Sequence, residues 1–179
     1  SGQFTTHIMT SLVGGLILGF PFILFEVWRF ISPALAKKEK KYARSLVFSG
    51  SLLFMLGILF GYYFVSPLSV QFLGNYQISE TVSNQINLKS FISTVTTVTL
   101  VCGLVFELPL IVYFLSKMGL ITPEFMRKYR KHAIVVTLVL SAIITPPDVS
   151  SQVLLTIPLL ILYEFSIFIS KRIQKKTEQ

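Results

Sequence analysis

The chain has 179 residues, 53% hydrophobic and 13% charged, with a mean hydropathy of +0.70 and a net charge of +8 from 16 Lys+Arg against 8 Asp+Glu. A soluble domain carries about 25% charged residues, so this composition excludes an ordinary soluble enzyme, a disordered chain and a collagen-like repeat. It points to a polytopic membrane protein. The single cysteine, Cys102, lies in an apolar run, which excludes an intrachain disulfide framework and fits a small buried hydrophobe.

A helix crossing a hydrocarbon core of ~30 Å needs about 20 residues. In chain order, Ile8 to Trp28 meets that length with Glu26 as its only charge, and Ser45 to Leu68 meets it with none. Phe91 to Ser116 follows, with Glu107 as its only charge. Two shorter pieces, Ala133 to Thr145 and Val153 to Ser170, flank Pro146-Pro147-Asp148. They read either as one broken span or as a hairpin of two short helices. The paired prolines and an N-capping aspartate favour the hairpin. Runs this long and continuous exclude barrel strands. The fold class is therefore all-α, a membrane helix bundle of five hydrophobic helices with the last two short.

The basic residues set an expected orientation. Arg29, Lys37, Lys38, Lys40, Lys41 and Arg44 share the loop 29–44; Lys117, Arg127, Lys128, Arg130 and Lys131 share the loop 117–132. Lys171, Arg172, Lys175 and Lys176 lie in the tail, 171–179, and only Lys89 falls in the outer loops, 69–90 and 146–152. By the positive-inside rule the tail is cytoplasmic and Ser1 outside. A basic face beside anionic lipid accounts for the charge, so nucleic acid is an unnecessary partner. Ser1 to His7 has no signal-peptide pattern. An odd number of spans that starts outside without a leader suggests that a first helix is missing.

Small residues recur four apart at Ser11, Gly15 and Gly19, and again at Gly57 and Gly61. That spacing lets helix backbones approach closely, within this chain or against a partner helix. His7 and His132 fall on opposite sides, no HExxH motif or phosphate-binding glycine loop is present, and no metal site or catalytic group is expected. Glu107 is the informative acid. It lies near the expected bilayer midplane, where an ionised side chain costs on the order of 2.5 kcal/mol or more and must meet protein or water. Pro109, two residues on, weakens the helix beside it. Glu26 is placed to pair with Arg29, Glu164 lies close to the cytoplasmic edge, and Glu39 taken alone is a solvated residue in a basic run.

Trp28-Arg29-Phe30-Ile31-Ser32-Pro33-Ala34-Leu35, with Glu39-Lys40 beyond it, resembles the first cytoplasmic loop of the TatC family, the multispanning receptor subunit of the twin-arginine protein translocase. Phe106-Glu107-Leu108-Pro109 resembles its fourth-helix motif, and Gly119-Leu120-Ile121-Thr122-Pro123-Glu124 with Arg130 its second cytoplasmic loop. The run Thr145-Pro146-Pro147-Asp148-Val149-Ser150-Ser151-Gln152, then Ile157-Pro158 and Leu162-Tyr163-Glu164, resembles its last outer loop and sixth helix. The departures are Ala36 where an aromatic is common, Lys40 where arginine is common, and His132 where tyrosine is common.

The resemblance implies helices two to six of a six-helix bundle, without the first helix and its N-terminal segment. It implies a non-enzymatic receptor, free of cofactors, in the inner membrane of a bacterium. Such a receptor binds twin-arginine signal peptides of folded precursors and recruits TatA-type and TatB-type single-span proteins and further copies of itself for protonmotive-force-driven export. Glu39, Phe30, Lys40 and Lys41 then become the signal-peptide site, and Glu107 and Pro109 the contact with a partner helix. Pro146, Pro147, Asp148 and Gln152 become the outer loop. A small proton-coupled transporter is the alternative, but it should show internal repeats, and the sequence has none. A purely structural scaffold would need neither Glu39 nor Glu107.

Overall fold

The computed structural model describes residues 2–32, 43–75, 88–145 and 149–177, and every regular element among them is helical. Helix α1 (Gly2–Ile31) keeps its course through Pro21. Helix α2 (Ala43–Phe60) passes through a π-helical turn, Gly61–Val65, directly into α3 (Ser66–Asn75). Helix α4 (Leu88–Val105) breaks at Phe106-Glu107 and resumes as α5 (Leu108–Lys117). Among the described residues, four stretches are long and apolar enough to cross a membrane: Gly2–Ile31, Ser45–Phe72, Lys89–Lys117 and Val149–Lys175.

The ends of these elements follow from local chemistry. Gly119 sits at φ +73°, in the left-handed region open to glycine, and lets the Leu120 N–H reach back to Leu115 O (2.9 Å) to close α5. Thr122 caps α6 (Pro123–Lys128) by accepting from the Phe125 N–H at 3.2 Å, with Pro123 in the first turn where no N–H is needed. Helix α7 (Arg130–Ile144) ends at Thr145, which is extended as the residue before a proline must be. Helix α8 (Val149–Thr177) has 29 residues and runs well past the expected stretch Val153 to Ser170. Its polar ends continue the helix although they contribute nothing to hydropathy. α7 and α8 are separate helices packed on one another, as the hairpin reading requires.

Packing is layered along the bundle. Phe20 of α1 stacks on Phe54 of α2, with ring centroids 3.5 Å apart and Ile58 alongside. Trp28 meets Phe114 of α5 at 5.7 Å. Val65, Val98 and Cys102 join Leu155 and Leu159 of α8 in a fully enclosed cluster, and Val112, Met126 and Ile167 tie α5 and α6 to α8. The outer faces stay apolar, with Leu18, Phe22, Phe48, Ile143 and Ile161 exposed. That surface suits hydrocarbon, not water. Where lipid is the solvent, close van der Waals contact and satisfied backbone groups replace the hydrophobic effect as the cohesive terms.

Glycine supplies that contact between α2 and α4. A Cβ on Gly57 would lie 2.7 Å from Cys102 O and 2.8 Å from Gly103 Cα, and one on Gly61 would lie 2.9 Å from Cys102 Cβ. The Gly57/Gly61 pair therefore packs within the chain. A Cβ on Gly15 or Gly19 would meet nothing within 4 Å, so the small-residue stripe of α1 faces away from the other described residues. Three buried hydroxyls are satisfied within their own helices: Ser141 donates to Thr137 O, Thr145 to Ser141 O, and Ser166 to Leu162 O.

Candidate functional site

Pro109 explains the break that presents Glu107. It has no N–H to give to Val105 O, so the α4 ladder cannot run through it. The chain tightens instead: Glu107 N–H bonds Leu104 O at 3.1 Å, three residues back, while Glu107 O accepts from Leu110 and Ile111 and starts α5. Pro109, fully buried, occupies the first turn of α5. This turn aims the Glu107 side chain into the bundle, where the residue is only 5% exposed.

Neither carboxyl oxygen of Glu107 has a hydrogen-bond partner among the described residues. Gly50 of α2 leaves the space in which Oε2 sits: a Cβ there would be 3.3 Å from that oxygen, 2.8 Å from Leu24 Cδ1 and 2.9 Å from Leu110 Cδ2. Leaving a buried polar group unmatched costs on the order of 1–3 kcal/mol, more for a charged one. The site is thus a buried acid with unused hydrogen-bonding capacity, roofed by α1, α2 and α5. Gly50 lies outside the four-residue spacing that marks Gly57 and Gly61 on the same span. Its place seven residues before Gly57, on the same helix face, is the signal that marks it.

Phe30 stands at the end of α1, 86% exposed, while Trp28 beside it is buried. Arg29 pairs loosely with Glu26, 3.7 Å apart and both exposed, as the three-residue spacing predicts. Glu39, Lys40 and Lys41 lie outside the described residues, as do Pro146, Pro147 and Asp148. Gln152 donates to Leu138 O at 3.2 Å across the α7–α8 hairpin, and Thr156 to Ser141 Oγ at 2.9 Å. Glu164 is accounted for by Arg130, 2.6 Å away. His7 and His132 are on different elements, and no cluster of three or more potential metal ligands occurs among the described residues.

Gathered on one scaffold are long apolar spans, a glycine-packed helix crossing and one buried acid at a proline break. These define a multi-pass membrane protein built to present a polar group within its bundle. The chain belongs to the TatC family: residues 1–158 match the family model described as "Sec-independent protein translocase protein (TatC)". It is 43% identical over 175 residues to a protein of that name from Blattabacterium, covering 98% of this chain and 66% of the relative. It is also 43% identical over 173 residues to the one from Aquifex aeolicus, covering 96% and 72%. Two crystal structures described as the twin arginine translocase receptor TatC superpose with TM-scores of 0.77 and 0.78 at 42% and 43% identity. They are matched over 96% and 93% of this chain and over 75% and 74% of theirs. The chain spans about two thirds of the length of the curated relatives it matches.

Proposed function

We propose that this chain forms the core of a receptor subunit of the twin-arginine translocase. It would capture signal peptides of folded precursors at one end of the bundle and engage single-span TatA-type and TatB-type helices within it. Family membership supports the reading, but the unmatched Glu107 carboxyl carries it. A buried acid without a partner is a poor structural element and a good socket for a polar group on an incoming helix. Capture would fall to Glu39 in the loop 29–44, whose carboxylate suits the bidentate geometry of paired guanidinium groups. Exposed Phe30 stands at the start of that loop, and Lys40 and Lys41 would tune its charge. The basic loops and tail would lie on the cytoplasmic side of a bacterial inner membrane. Nothing in this role requires bond-making or a cofactor; the driving force would be the protonmotive force.

The test is a photo-crosslinker at position 107 of a translocase subunit carrying this chain, with export of a folded reporter scored in parallel. The reading expects crosslinks to a single-span partner, and a loss of export in Glu107→Ala larger than in Glu107→Gln, whose amide can still pair. Full export by the alanine variant would refute it.

A further inference from the structure

The elbow formed by α6 and the start of α7 is held to α8 by one face only. Met126 is buried against Val112 and Ile167, its carbonyl accepts the Tyr163 hydroxyl at 2.8 Å, and Arg130 is engaged by Glu164. Fixed in this way, the elbow turns a second face outward. Phe125, Tyr129 and His132 form a continuous exposed row of tilted rings on it, with centroids 4.6 Å and 5.4 Å apart. Arg127, Lys128 and Lys131 project from the same short segment, exposed and without an ion pair among the described residues. The nearby acid, Glu124, lies in the first turn of α6, where it complements the helix dipole.

Two observations say what covers this face. α7 continues from it as an apolar surface, with Val135, Val136, Val139 and Ile143 all exposed, so the elbow stands where the lipid-facing band ends. Aromatic rings and cationic side chains together are the residues that occupy that level of a bilayer, the rings among the headgroups and the cations on phosphates. Solvent alone would not favour a row of rings in which Phe125 is 53% and Tyr129 40% exposed. We propose that the α6–α7 elbow is a binding site for an anionic phospholipid. Its phosphate would be held by Arg127, Lys128 and Lys131, its glycerol region would lie against the Phe125, Tyr129 and His132 rings, and its acyl chains would run along α7.

The test uses the full chain in a neutral detergent, titrated with phosphatidylglycerol and, separately, with phosphatidylcholine of the same acyl length, with occupancy read by native mass spectrometry. Each cation near an anionic headgroup contributes about fivefold in affinity. The triple variant Arg127→Gln/Lys128→Gln/Lys131→Gln should therefore bind phosphatidylglycerol on the order of a hundredfold more weakly. An equal charge removal at the C-terminal end of α8, Lys171→Gln/Arg172→Gln/Lys175→Gln, should leave binding within about threefold of the parent, because none of those residues belongs to the elbow. Helical content by circular dichroism checks each variant. If the elbow triple does not fold, Lys128→Gln alone should cost about fivefold. Equal binding of phosphatidylcholine, equal weakening by the two triples, an unchanged Lys128→Gln, or displacement by millimolar inorganic phosphate would each overturn the proposal.

Discussion

Gly50 and Gly57 lie on the same helix but meet different kinds of atom, and that decides what an added methyl does. At Gly57 the new Cβ would press on the α4 backbone at Cys102 O and Gly103 Cα, which cannot move without moving the helix. At Gly50 it meets the ends of Leu24, Leu110 and Glu107, which can shift by rotamer change. Alanine gains about 1 kcal/mol of helix propensity at either site, while overpacking costs about 1–3 kcal/mol. Gly57→Ala should therefore lower the detergent unfolding midpoint clearly, and Gly50→Ala should leave it nearly unchanged. Gly50→Ala should still reduce crosslinking from position 107, because it displaces the carboxyl. Equal midpoints for the two variants would mean that the α2–α4 crossing is looser than the contacts at Gly57 require.

Glu107 was legible in the sequence as an acid out of place, and Pro109 as the reason for a break beside it. What remained hidden was that the buried carboxyl has no hydrogen-bond partner among the described residues. That depends on which helix faces it, and periodicity within one segment cannot say. The same limit applied to Glu164, whose partner Arg130 is 34 residues away in sequence.

At the scale of elements, the hairpin of α7 and α8 could be read from the paired prolines and from the short apolar runs on either side. The full extent of α8 could not, because Ser150–Gln152 and most residues after Ser170 are polar and hydropathy is blind to them. The π-helical turn at Gly61–Val65 left no sequence signal beyond the glycine that permits close approach to α4. Two polar contacts hold the α6–α7 elbow to α8, and they should differ in weight. The Arg130–Glu164 pair is about half exposed on each side, and such pairs contribute about 0–1 kcal/mol. Tyr163→Phe strands Met126 O without its donor, at about 1–3 kcal/mol. Thermal unfolding should show a larger drop for Tyr163→Phe than for Arg130→Gln. The opposite order would make the ion pair the principal fastening of the elbow.

For the whole molecule, the composition and the distribution of basic residues carry most of the information, because a bilayer imposes length, polarity and sidedness on every segment at once. Orientation can be checked in the Cys102→Ser background. A cysteine at Ser90, exposed at the start of α4, should react with an impermeant thiol reagent added to intact cells, and one at Lys175 should not. The reverse pattern would invert the topology.

The proposed receptor role would rest on an interaction with consecutive arginines, and it is measured most directly by precursor capture. The matching segment of the Aquifex aeolicus relative would be replaced by this chain and the subunit reconstituted in membranes. Site-specific crosslinking would then be compared for a precursor bearing paired arginines, the same precursor bearing paired lysines, and the arginine precursor with Glu39→Ala in the receptor. The account predicts strong crosslinking in the first case and a drop of about tenfold or more in the other two, since a lysine lacks the bidentate geometry and alanine the acceptor. Equal crosslinking in all three would contradict it.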